Sequence, residues 1–129
     1  MKVTKLKIFL SIIIILILAL VVFVATRSAS EETSGKYDAF TTCLKNKGAI
    51  FYGAFWCPHC QAEKKLFGTS EKLVPYVECS TPDMKGQTQI CQDKKITGYP
   101  TWIFADGSSL KGEVSFEMLA QKTSCILPQ

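Results

Sequence analysis

Two cysteines separated by a proline and a histidine, Cys57-Pro58-His59-Cys60, follow Trp56 and a run of apolar residues. Sulfur pairs at this spacing exchange electrons with other disulfides. One thiolate attacks or is attacked, and the second cysteine then resolves the mixed disulfide and releases product. Pro58 suits the first turn of a helix, where its missing N–H would have no partner anyway. Cys57 then stands at that helix's N-terminus, where unpaired backbone N–H groups and the helix dipole favour an anion. A thiolate is the reactive form, so the placement marks Cys57 as the nucleophile and Cys60 as the resolving thiol. His59 adds a donor or positive charge beside the Cys57 sulfur. Each unit by which a thiol pKa is lowered is worth about 1.4 kcal/mol of thiolate stabilisation. Pro58 and His59 are therefore the expected tuning residues.

Other chemistries fit these residues less well. A zinc site needs a second half-site, but eleven residues separate Cys79 from Cys91, and the only histidine lies inside the motif. Haem attachment needs a histidine directly after the second cysteine, and Gln61 stands there. A purely structural bridge would close a very small loop, where the entropic gain is least. No metal and no organic cofactor are expected.

The elements that must hold this pair can be read from the surrounding pattern. Residues 49–55 form a short, nearly all-apolar run, as in a strand covered on both faces. The helix from Pro58 is expected to run to about Phe67, with Gly68 as its stop. Before the strand, Tyr37, Phe40 and Leu44 recur at helical spacing, and Gly48 can end that helix. Downstream, residues 75–78 read as a strand, 87–94 as a short helix and 101–104 as a strand. Asp106-Gly107 is a hairpin turn, 110–114 the return strand, and Ser115 a cap for a last helix carrying Phe116, Leu119 and Ala120. The order α-β-α-β-α-β-β-α implies an α/β domain, a mixed sheet flanked by helices. A second unusual segment, Gly98-Tyr99-Pro100-Thr101-Trp102, brings a proline into a strand entrance, which needs a reason.

Together the two motifs supply that reason. A Trp-Cys-x-x-Cys after a buried strand, with Gly-Tyr-Pro-Thr about forty residues on, resembles the thioredoxin superfamily. The similarity implies a thioredoxin fold with a mixed four-stranded sheet, a cis Pro100 against the redox pair, and a Tyr99 backbone that pairs with a bound client strand. Trp56, Phe55 and Tyr99 would supply an apolar rim for unfolded or partly folded client chains. Residues 51–60, 65–68, 75–79, 89–91 and 98–102 are similar to the thioredoxin-like domain fused to bacterial vitamin K epoxide reductase homologues. The Cys-Pro-His-Cys motif is of the DsbA type, which points to the oxidising end of the range. The resemblance implies that electrons pass from client protein thiols to a membrane quinone-linked reductase, here a separate protein. One departure stands out. Thioredoxins carry a buried acid six residues before the first cysteine, and Phe51 occupies that position. Without that proton acceptor, attack by Cys60 should be slower, which favours an oxidase or carrier over a reductase.

Four further cysteines allow three pairings. A local Cys79–Cys91 bridge is expected, contributing on the order of 3 kcal/mol. Cys43 and Cys125 lie near the ends of the first and last helices. They pair if those ends meet, and buried free thiols are the alternative.

The N-terminal segment decides the compartment. Residues 8–25 contain no charge, glycine or proline, which reaches the lower end of what a bilayer-crossing helix needs. Lys2, Lys5 and Lys7 precede the run, and Arg27 follows it. That asymmetry places the N-terminus in the cytoplasm. The expected organisation is a basic stub and single transmembrane signal anchor over residues 1–27, a linker over 28–35, and a thioredoxin-like domain over 36–129. The domain is then extracytoplasmic, where disulfides are the default for a cysteine-rich chain. A cleavable leader with its site near residues 28–30 is the alternative. The linker reaches at most about 30 Å, so the domain works close to the membrane. All of the net charge of +4 comes from the four basic residues before Ser28, since the remainder carries 11 of each sign. The basic pI therefore reports topology and not a nucleic-acid face. A monomer is expected. Two alternative functions remain: a reductase or isomerase using the same residues with reversed electron flow, and a non-catalytic adaptor or metal-delivery module.

Overall fold

The computed structural model describes residues 2–28 and 35–129, in two compact units over residues 1–33 and 34–129. The first unit holds helix α1 (Lys2–Ser28). Its side chains from Lys7 to Phe23 are exposed. The Ser11 hydroxyl donates to the Lys7 carbonyl at 3.0 Å, so the polar group is satisfied by the helix's own backbone. Among the described residues, no helix is long and apolar enough to cross a membrane. The sequence leads one to expect a span over about residues 8–25, but the described side chains of α1 end at residue 23. The expected linker and the candidate cleavage site lie largely outside the described residues.

The second unit opens with α2 (Asp38–Asn46), which buries Phe40, Thr41 and Leu44 on one face. Gly48 adopts a left-handed φ of 71° and donates to the Lys45 carbonyl, while Ala49 donates to that of Leu44. This capping turns the chain directly into β1 (Ile50–Gly53). Helix α3 (Pro58–Leu66) follows, then a 3-10 turn (Gly68–Leu73), β2 (Tyr76–Glu78), α4 (Gln89–Asp93), β3 (Thr101–Ile103), β4 (Ser109–Lys111) and α5 (Phe116–Thr123). The sheet order is β2-β1-β3-β4, with β1 parallel to β2 and antiparallel to β3, and β4 antiparallel to β3.

Alternation along β1 divides the interior. Phe51 joins Phe40, Leu44, Phe67, Trp102 and Leu119 in the larger core. Tyr52 faces the other way, with Cys79, Cys91 and Ile96. Both faces are therefore apolar and covered, as a short central strand requires. Phe51 pairs across the sheet with Trp102, and their rings lie 5.0 Å apart.

Several elements are shorter than their sequence patterns suggest. β1 ends at Gly53 because the Ala54 carbonyl turns to accept the Cys57 N–H. The helix expected over 87–94 begins at Gln89, since Gln87 bridges Ser80 as an isolated strand pair. The return strand stops at Lys111. Beyond it Gly112 donates to Pro100 O, and the Val114 N–H leaves the sheet for the Glu63 carboxylate. Gly68 does end α3, but the 3-10 turn after it has no apolar periodicity to announce it.

Candidate active site

Cys57 caps α3. Its backbone is extended, Pro58 takes the first helical position, and its sulfur accepts the Cys60 N–H at 3.4 Å. The neighbouring thiol groups of Cys57 and Cys60 are both free and buried. Cys60 packs against the one strand residue that leaves it room: a Cβ on Gly53 would stand 3.0 Å from the Cys60 sulfur and 2.9 Å from the Tyr76 ring. Burial pushes the Cys60 thiol up to about 12, reinforced by its hydrogen bond with Cys57. It is therefore held as a thiol at neutral pH.

The Tyr99–Pro100 peptide is cis, and the Tyr99 carbonyl lies 3.8 Å from the Cys57 sulfur. The motifs at 57–60 and 98–102 thus meet across 42 residues of chain. Gln87 fixes this loop by donating to the Ile96 carbonyl and to the Tyr99 hydroxyl, at 2.9 and 2.7 Å. Trp56 and Phe55 are each about half exposed, at 45% and 47%. The Trp56 ring meets Tyr99 edge-on at 6.1 Å and donates its N–H to Ser80 at 2.8 Å. An apolar platform therefore borders the Cys57 sulfur.

His59 takes a place that spacing alone does not indicate. Its Nδ1 lies 2.5 Å from Glu113 Oε1, in an exposed pair that ties the head of α3 to the segment before α5. The hydrogen bond of this ring atom is thus to a carboxylate and not to Cys57.

Both remaining cysteine pairs are bridged, Cys43–Cys125 and Cys79–Cys91. The second closes the loop that presents Ser80 and Gln87. Among the described residues, no group of three or more His, Cys, Asp or Glu side chains could hold a metal ion.

Sequence reasoning missed Glu63. Its side chain is fully buried. Oε1 accepts from Trp102 Nε1 at 2.7 Å and from the Val114 N–H at 3.3 Å, whereas Oε2 is buried without a partner. The signal was available: Cys60, Glu63 and Phe67 follow at i, i+3 and i+7, the core-facing stripe of α3. A carboxylic acid on such a stripe is unusual and calls for a role. Burial raises the Glu63 carboxyl to about 7, partly opposed by the Trp102 hydrogen bond.

This shift has a consequence for stability. The folded state binds a proton that the unfolded chain releases near 4.5, so the contribution of Glu63 to stability is greatest below 4.5 and is lost as pH rises through about 7. The loss attributable to Glu63 is on the order of 2–3 kcal/mol. Urea unfolding at pH 4.5 and 8 should show it. Glu63→Gln should flatten that dependence, and an unchanged slope would exclude Glu63 as its source.

The thioredoxin family's sequence profile matches residues 31–124. The chain is also 40% identical over 108 residues to the thiol-disulfide oxidoreductase LTO1 of Arabidopsis thaliana. That alignment covers 80% of this chain and 28% of the relative's length.

Proposed function

The chain belongs to the thioredoxin family, and on that premise we propose that it is a membrane-anchored, extracytoplasmic thiol–disulfide oxidoreductase that oxidises client dithiols. One observation carries the reading: the Cys57 sulfur caps α3, bonded to the Cys60 N–H, and faces the carbonyl of the cis Tyr99–Pro100 peptide. The relative's description as a thiol-disulfide oxidoreductase supports the same chemistry.

In the oxidising cycle a client thiolate attacks the Cys57–Cys60 disulfide at Cys57, and Cys60 leaves and is protonated. The client's second thiolate then attacks its own sulfur in the mixed disulfide, releasing oxidised client and reduced Cys57. The half-exposed Trp56 and Phe55 suit extended, partly folded chains, which expose apolar side chains beside their cysteines. Electrons leave through a separate membrane quinone-linked reductase, as the motifs' resemblance suggests. Anchoring rests on α1: its exposed residues 7–23 are almost wholly apolar, and lysines precede them.

Cys60→Ala tests the reading. Without a resolving thiol, Cys57 that has attacked the disulfide of an oxidised client should stay joined to it, so mixed disulfides with clients carrying an oxidised cysteine pair should accumulate, visible as reducible high-mass species on a non-reducing gel. A clean absence of such species would leave only the adaptor. The equilibrium potential of the Cys57–Cys60 couple then assigns direction: a value near or below about −270 mV, the level of thioredoxin, would favour the reductase.

A further inference from the structure

We propose that Glu63 is the proton acceptor and donor for Cys60, a carboxyl supplied by helix α3 in place of an acid on the central strand. The inference rests on the oxidoreductase reading and adds the residue that moves the proton.

Geometry is the first support. Cys60 and Glu63 stand three residues apart on one helix, where Cβ atoms are about 5–6 Å apart. Both side chains are buried on the same core-facing stripe. Trp102 and the Val114 N–H engage Oε1 and fix the carboxyl's orientation, leaving Oε2 as a buried oxygen with no partner. A buried polar atom left unpaired costs free energy, and a function that needs a free acceptor accounts for it. Phe51 is apolar and packs on the ring of Trp102, so the strand position that could hold an acid instead supports the indole that orients Glu63.

Electrostatics is the second support. A carboxyl near 7 exchanges protons in both directions at neutral pH. Cys60, pushed up by burial, does not ionise unaided and needs such an acceptor. The other titratable groups facing the pair are Cys57 at the head of α3, Glu113 before α5, itself paired with His59, and Tyr76 on β2. Burial and its bond to Glu78 raise the Tyr76 phenol, which therefore stays neutral.

In resolution of a client–Cys57 mixed disulfide, the Cys60 S–H proton passes to Glu63 Oε2. The Cys60 thiolate attacks Cys57 Sγ, the Cys57–client S–S bond breaks, and the Cys57–Cys60 bond forms. The client sulfur departs reduced as a thiolate, and Cys60 is oxidised. In the reverse direction neutral Glu63 protonates Cys60 as it leaves.

The test is single-turnover resolution of a mixed disulfide between Cys57 and a cysteine peptide, followed by peptide release between pH 5 and 9. The wild-type rate should rise with pH through a group near 7. Glu63→Gln keeps an acceptor for Trp102 but cannot take the proton, so it should resolve at least ten-fold more slowly, with no inflection near 7. Resolution by the variant at the wild-type rate and with the wild-type profile would overturn the proposal. If the variant does not fold, the wild-type profile decides, because a rate flat between pH 6 and 8 overturns it equally. Capture of a mixed disulfide by Cys60→Ala is the separate check on the enzyme reading. Failure of capture overturns both inferences, whereas capture with an unaffected Glu63→Gln overturns only the role of Glu63.

Discussion

Cys57→Ser should reduce dithiol oxidation to the uncatalysed background, a loss on the order of 10⁴-fold or more by analogy with removal of other covalent nucleophiles. A serine oxygen cannot enter a disulfide, so the cycle has no first step. The remaining thiol cannot take over. Cys60 lies on the buried face of α3 against Gly53, and burial pushes it up to about 12. At pH 7 only about one molecule in 10⁵ would carry a Cys60 thiolate. Raising the pH to 9 should therefore not rescue the variant. The fold should persist, because serine is a favoured helix N-cap and can accept the Cys60 N–H as the sulfur does. The measurement is turnover of a fluorescent dithiol peptide, beside a thermal melt. A variant that kept a tenth of the activity with an unchanged melt would remove Cys57 from the nucleophile's role.

Removal of the Cys43–Cys125 bridge is the structural counterpart with the largest effect. The bridge spans a sequence separation of 82 residues, and it ties α2 to the segment after α5. Closing a loop of that length restrains the unfolded chain by about 4–5 kcal/mol in the chain-entropy account. In a domain of this size each kcal/mol moves the melting temperature by about 4–8 °C. The double replacement of Cys43 and Cys125 by serine should thus lower it by on the order of 20 °C. The corresponding change at Cys79 and Cys91, only 12 residues apart, should cost about 3 kcal/mol. It should also disturb the Gln87–Tyr99 contact beside the site. Melts of the two double variants against wild type, with the redox pair held in one state, give the comparison. A loss of under about 5 °C at the long bridge would show that the unfolded chain is not what it restrains.

What the chain determined by itself lies in its local patterns. The strand, cysteine and Pro58 at the head of α3 are legible because each depends on neighbours within one turn. The Asp106-Gly107 hairpin, the Gly48 cap and the Ser115 cap are legible for the same reason: turn and cap chemistry is decided over three or four residues. The nearly unbroken apolar run through β1 likewise announces a strand covered on both faces.

Only the tertiary structure decided how distant groups meet. The approach of the Tyr99 carbonyl to Cys57, the seating of Trp102 on Glu63 and the pairing of His59 with Glu113 join residues 39 to 54 positions apart. No local propensity encodes such contacts. They follow from how α3, the sheet and α5 pack once the apolar faces are buried. The acid absent from the central strand shows the difference. Phe51 alone reads as a lost proton acceptor, yet the folded chain buries Glu63 on α3, where it accepts from the Trp102 indole that packs on Phe51. Burial, and with it the charge state of a carboxyl, belongs to the packed domain and not to any single stretch of sequence.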